Sequence, residues 1–233
     1  MLNNLLSRFH LFATLAALSA LLVGCAGSAP TIDTSAEAEM TYDGLYPVKG
    51  GAADDAWARP GADISQYSKI MLQGVGIEYR PGGESGRLHN IRRGGDYFEL
   101  TETQKKNLRE IMRQAFLEEL AKSEHFTIVG EAAPDVLLIR GGLFDVVSYV
   151  PPQSIGRSEI YLSRVGEATL VLEIRDSISE AIIARTVDRR AAENAFGMRE
   201  SNRVNNAAEV QRLTKTWARL LRERLDSYAA PKE

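Results

Sequence analysis

Glu167 to Arg175 reads EATLVLEIR, and Ala181 to Val187 reads AIIARTV. In the first run Ala168, Leu170, Leu172 and Ile174 recur at every second residue, the period that puts side chains on one face of a half-buried strand. The intervening turn, Asp176-Ser177-Ile178-Ser179-Glu180, is short and polar, so the two runs predict an antiparallel hairpin. Working upstream, Val136 to Val147 (VLLIRGGLFDVV) is apolar enough for a central strand, with a bend expected at Gly141-Gly142. His125 to Glu131 predicts a further strand, either antiparallel or crossing beneath a helix. Ser68 to Tyr79 (SKIMLQGVGIEY) predicts the first strand, where Gly74 and Gly76 interrupt the alternation and predict a bulge.

Two helices complete the pattern. Thr101 with Gln104 makes a capping box, so a helix is expected from Glu102 to about Lys122, its stripe formed by Leu108, Ile111, Met112, Ala115, Phe116 and Leu120. The last helix is expected over Ala207 to Tyr228, with Val210, Leu213, Trp217, Leu220, Leu221, Leu225 and Tyr228 on its apolar side and Trp217 at the centre. The order strand, helix, four strands, helix predicts an α+β two-layer sandwich, a mostly antiparallel sheet with two amphipathic helices on one face.

The N-terminus carries a different signal. Leu22-Val23-Gly24-Cys25 follows an apolar run from Leu11 to Val23 that is too short to span a bilayer, preceded by Arg8 and no acidic residue. This reads as a lipobox: residues 1–24 are a lipoprotein signal peptide, and Cys25, the single cysteine of the 233 residues, is the lipidation site. Two or three acyl chains exceed the single-chain threshold for stable anchoring. Ala26 follows the cysteine where an aspartate would signal inner-membrane retention. The expected address is therefore the periplasmic face of the outer membrane. Residues 25–40 are small and polar and read as a flexible lipidated tether; 41–233 read as one periplasmic domain, with Tyr42, Leu45, Tyr46 and Trp57 as anchors that lie across its body.

Composition narrows the function. The net charge is −3, and loss of Arg8 with the leader makes the mature chain one unit more acidic, the wrong sign for a nucleic-acid binder. At 44% hydrophobic and 25% charged residues the chain is an ordinary globular one. With Cys25 acylated, no disulfide is available.

The combination of the lipobox, the entry Asp63-Ile64-Ser65-Gln66-Tyr67-Ser68, the helix ending Phe116-Leu117-Glu118-Glu119-Leu120, the Ala133-Pro134-Asp135-Val136-Leu137 segment, the hairpin and the closing Trp217-to-Asp226 stretch resembles the DUF3313 family of bacterial lipoproteins. The turn at Ile178 to Glu180 departs from the Thr-Gly expected there. The resemblance implies a fold and an address and supplies no site.

Catalytic signals are weak. His89 and His125 have no ligand spacing, so no metal is expected, and no cofactor motif is present: Gly74-x-Gly76 lacks the third glycine and following helix of a dinucleotide fingerprint. Asp145, in an apolar strand with Arg140, reads either as a buried acid or as an edge residue facing solvent. The long connection from Pro81 to Leu100 is the best binding candidate, because Arg87, Arg92 and Arg93 supply bidentate donors and Tyr97 an aromatic face. A second excursion, Pro151 to Arg164, carries Ile155, Ile160, Tyr161 and Leu162. The expected function is a non-enzymatic envelope domain that binds another envelope component, a protein, through these loops; the rival is a small-molecule or glycan binder with a pocket between helices and sheet.

Overall fold

The hairpin exists and is longer than its alternation. Strands Arg164–Asp176 and Ile182–Glu193 pair antiparallel, with Leu170 opposite Asp188 and Glu173 opposite Arg185. The computed structural model describes residues 30–80, 97–151, 159–194 and 197–229. In chain order the strands are β1 (Thr31–Ile32), β2 (Tyr46–Lys49), β3 (Asp55–Ala58), β4 (Lys69–Tyr79), β5 (Thr127–Ile128), β6 (Val136–Ser148), β7 (Tyr161–Leu162), β8 and β9 (the hairpin) and β10 (Arg199–Glu200). The helices are α1 (Glu102–Leu120) and α2 (Arg203–Ala229).

The main sheet has the order β1-β2-β3-β9-β8-β6-β4-β5. Only β4 with β6 and β4 with β5 run parallel, so the fold is α+β with a mostly antiparallel sheet, as the alternation implied. α1 begins at the capping box, where the Gln104 N–H donates to Thr101 Oγ1 and Thr101 N–H to Gln104 Oε1 at 2.8 Å. Phe116 and Leu120 from α1, Trp217, Leu221 and Leu225 from α2, and Leu137, Ile139, Leu170 and Leu172 from one sheet face form a single buried cluster. Trp217 is the pin of α2: its indole N–H donates to Asp188 Oδ2 at 2.6 Å, and Arg190 Nε donates to the same oxygen at 2.5 Å. A buried carboxylate thus has both donors it needs.

Several expectations change. The bulge at Gly74 and Gly76 is present as a register shift against β6. Gly141 and Gly142, expected as a bend, instead continue β6; a Cβ on Gly141 would sit 2.9 Å from Leu172 Cδ2, so a side chain there would have to displace the end of Leu172. The strand expected over His125 to Glu131 shrinks to Thr127–Ile128 and is parallel to β4, because α1 returns the chain to the same end of the sheet where β4 began. Thr41 to Ser65 contains β2 and β3, too short for their period to register in sequence. Leu45 is fully buried and Trp57 half-buried in β3, but Tyr42 is 96% exposed and anchors nothing. Part of the stretch expected as a tether is likewise structured: Thr31 and Ile32 pair with Lys49 and Val48, and Asp33 bridges Lys49 at 2.7 Å. β1 covers an edge of β2 that would otherwise leave unpaired backbone groups.

Candidate functional site

At one end of the sheet, β4 and β6 start, and the β8–β9 turn closes. Here the connections are held tightly. Asp176 Oδ1 accepts the backbone N–H of Ser179 at 2.7 Å and its hydroxyl at 2.8 Å, while Tyr67 donates to Oδ2 at 3.0 Å. Ser177 is buried and donates to the Ala133 carbonyl at 2.9 Å, tying the turn to the segment before β6. Glu180 takes φ +56° to close the turn.

The opposite end is where β4, β6 and β9 finish and β8 starts, so the long connections gather there. The chain leaves β4 at Arg80 and returns at Tyr97; it leaves β6 at Tyr149 and returns at Glu159; it leaves β9 at Asn194 and enters α2 at Arg203. These are joined to one another. Phe98 pairs with Ser148, its N–H donating to the Ser148 carbonyl at 2.7 Å, which fastens the first connection to the root of the second. β7 and β10 pair as a separate two-stranded sheet, and Ser201 N–H donates to the Ile160 carbonyl at 2.6 Å, fastening the second to the third. The two excursions that the sequence offered as alternatives are thus parts of one rim. Nothing in the local sequence announces this, because it follows from β4 and β6 being parallel.

The rim is lined by cations that are already engaged. Arg80 makes a two-pronged pair with Asp145, donating through Nε at 2.6 Å, and lies 5.4 Å from the Tyr97 ring centroid. Arg189 bridges Glu167 at 2.5 Å, and Arg164 lies 5.5 Å over the Tyr149 ring. Asp145 holds φ +52° at the bulge between Phe144 and Val147, which turns its carboxylate onto the sheet face opposite the helices. The Arg80 side chain, against the opposing effect of burial, keeps the Asp145 carboxyl below the usual carboxylate range. Burial pushes the Glu167 carboxyl up, but Arg189 and Tyr149 outweigh it and its net shift is downward. Groups held ionised in this way are suited to ion pairing and poorly suited to general-acid work. Asp145 is therefore the solvent-facing ion-paired residue of the two readings.

Beside Arg80 and Tyr97 lies a cleft of about 150 Å³ lined by Tyr79, Arg80, Tyr97, Phe98, Leu100 and Lys105 among others. The Lys105 ammonium sits 5.0 Å from the Tyr79 ring centroid, and the buried Tyr79 hydroxyl has no hydrogen-bond partner among the described residues. Of the residues singled out from sequence, Tyr97 is on this cleft; Cys25, Arg87, Arg92 and Arg93 lie outside the described residues, though the connection carrying the three arginines starts and ends at the cleft. His125 is exposed beside β5. No metal-binding group of His, Cys, Asp and Glu occurs among the described residues. No helix among them is long and apolar enough to cross a membrane.

Residues 34–221 match the family described as "Protein of unknown function (DUF3313)". The chain belongs to that family. No curated protein matches it. Among solved structures it is similar to a DUF330-family protein from Xanthomonas campestris (12% identity, 73% of this chain and 93% of that one, TM-score 0.39). It is also similar to a minor lipoprotein from Acinetobacter baumannii (10%, 72% and 98%, TM-score 0.33). A third likeness is to a neuraminyllactose-binding hemagglutinin homolog from Helicobacter pylori (12%, 72% and 86%, TM-score 0.30).

Proposed function

We propose that this DUF3313 chain is a non-enzymatic lipoprotein, anchored through Cys25 to the periplasmic face of the outer membrane, whose loop rim binds another envelope component, a protein surface rich in carboxylates. The observation that carries the reading is the fastening of three connections at one end of the sheet through the Phe98–Ser148 bridge and the β7–β10 pair. Loops mounted on a rigid sheet are where recognition residues are commonly placed. Arg87, Arg92 and Arg93 belong to the connection rooted at Arg80 and Tyr97, and guanidinium groups suit planar, bidentate recognition of carboxylates. The signal and lipobox, Leu22-Val23-Gly24-Cys25, support the address.

The small-molecule reading required a pocket between helices and sheet. That space is filled by the core cluster, and the cleft of about 150 Å³ at the rim is below the ~300 Å³ at which ligand pockets usually begin. The test is a triple variant, Arg87→Glu, Arg92→Glu and Arg93→Glu, crosslinked in intact cells beside wild type. The expected result is loss of specific envelope adducts with the melting temperature unchanged. An unchanged adduct profile would return the rim to a solvated connection.

A further inference from the structure

We propose that the β1–β2 edge of the sheet lies against the lipid bilayer, with Ile32, Met40 and Tyr42 as the side chains that meet it. The inference rests on the lipidation of Cys25 proposed above, and its basis is how few residues separate Cys25 from the sheet. Thr31 and Ile32 are held by β2, and Asp33 is fixed both by the Lys49 bridge and by its N–H donating to the Pro47 carbonyl at 2.8 Å. Between Cys25 and Thr31 the backbone spans at most about 20 Å fully extended. A globular domain of this size is about 40 Å across. The leash is therefore about half the width of the body it holds, so the membrane-facing surface must be one that keeps Thr31 within about 20 Å of the bilayer, and the β1–β2 edge meets that condition.

The same segment displays apolar side chains. Ile32 is 38% exposed, Met40 57% and Tyr42 96%. Single exposed apolar residues are common, but Tyr42 is presented by a turn whose other members are pinned. Thr41 N–H donates to the Leu45 carbonyl at 2.9 Å, Asp43 bridges Arg185 at 2.5 Å, Arg59 donates to the Asp43 carbonyl at 2.8 Å, and Leu45 is fully buried. Tyrosine suits the interface between headgroups and acyl chains, where one end is apolar and the other wet. The exposed acidic residues nearby, Glu37 and Glu39, argue that contact comes from these apolar groups and not from attraction to anionic headgroups.

The test uses the mature lipidated protein in vesicles of phosphatidylethanolamine and phosphatidylglycerol. Because the only native cysteine is the acylated one, a nitroxide can be placed uniquely at Tyr42→Cys or, as control, at Thr127→Cys on β5, the opposite edge of the eight-stranded sheet. The label at 42 is expected to lose most of its accessibility to a water-soluble nickel chelate on reconstitution, and the label at 127 to keep it. Equal accessibility at both positions, in protein that co-sediments with the vesicles, would overturn the inference while leaving lipidation intact. Failure of either labelled protein to co-sediment would instead remove the Cys25 reading, and this inference with it.

Discussion

The two ends of the main sheet are built from the same four long strands and differ in what joins them. At the turn end, Asp176, Ser177 and Tyr67 satisfy a five-residue connection with side-chain hydrogen bonds, several of them within the connection itself. At the loop end, three long connections are fastened at their roots by backbone bonds, and the strand ends beside those roots carry charged pairs. A connection that only reverses the chain has no reason to be long. The excess length at one end, and its absence at the other, separates framework from the proposed contact surface.

The largest effect expected concerns what both ends share. Trp217→Ala removes a buried ring and strips Asp188 of its indole donor, and should cost about 3–5 kcal/mol, a large fraction of the ~5–15 kcal/mol of a small domain. A thermal melt checks it; a shift no larger than that of an exposed substitution would show that α2 does not fix β9. Next comes Gly166→Ala at the root of the loop end. The new Cβ would meet the Val147 carbonyl oxygen at 2.6 Å, so β6 and β8 must part there, at about 1–3 kcal/mol.

The ends themselves should differ on truncation of one aspartate each. Asp176→Ala deletes an acceptor of several hydrogen bonds and should cost about 1–3 kcal/mol. Asp145→Ala breaks a surface pair whose members are both about a third exposed, and should cost about 0–1 kcal/mol. Denaturant midpoints compare them, and equal losses would erase the distinction.

The smallest effect is in titration. The Ser179 backbone N–H and hydroxyl, against burial and aided by Tyr67, hold the Asp176 carboxyl below its usual value; the Arg80 side chain does so for Asp145. Both folded values lie under the unfolded one, so each contributes stability that is full above pH ~4 and lost as pH falls through the folded value. Neutral donors act at Asp176 and a cation at Asp145. Raising salt toward 1 M, where the Debye length is about 3 Å, should move the Asp145 carboxyl toward normal and leave Asp176 in place, as carboxyl NMR titrations would report.

The framework was legible because its signals are local. The 168-170-172-174 alternation, the Thr101–Gln104 box and the Trp217 stripe each occupy one element, and the structure contains all three. β1, β2 and β3 were not legible: two to four residues hold too little of a period, and what joins them to the main sheet is the pairing of β3 with β9, far along the chain. Tyr42 misled for a related reason, since an aromatic in a polar stretch looks like an anchor until the turn that displays it is known. The site was legible only in pieces. Arg87, Arg92, Arg93 and Tyr97, and the separate 151–164 excursion, stood out by composition, but that their connections share one end of the sheet depends on the parallel β4–β6 pairing, a contact with no sequence signature.

The most direct test of the loop end as the contact surface is photo-crosslinking in living cells from single positions: Tyr97 and Tyr161 at the loop end, and the exposed Ile178 at the turn end. A discrete envelope-protein adduct is expected from positions 97 and 161 and none from 178. An adduct from 178 with nothing from 97 or 161 would contradict the account and make the turn end the contact surface.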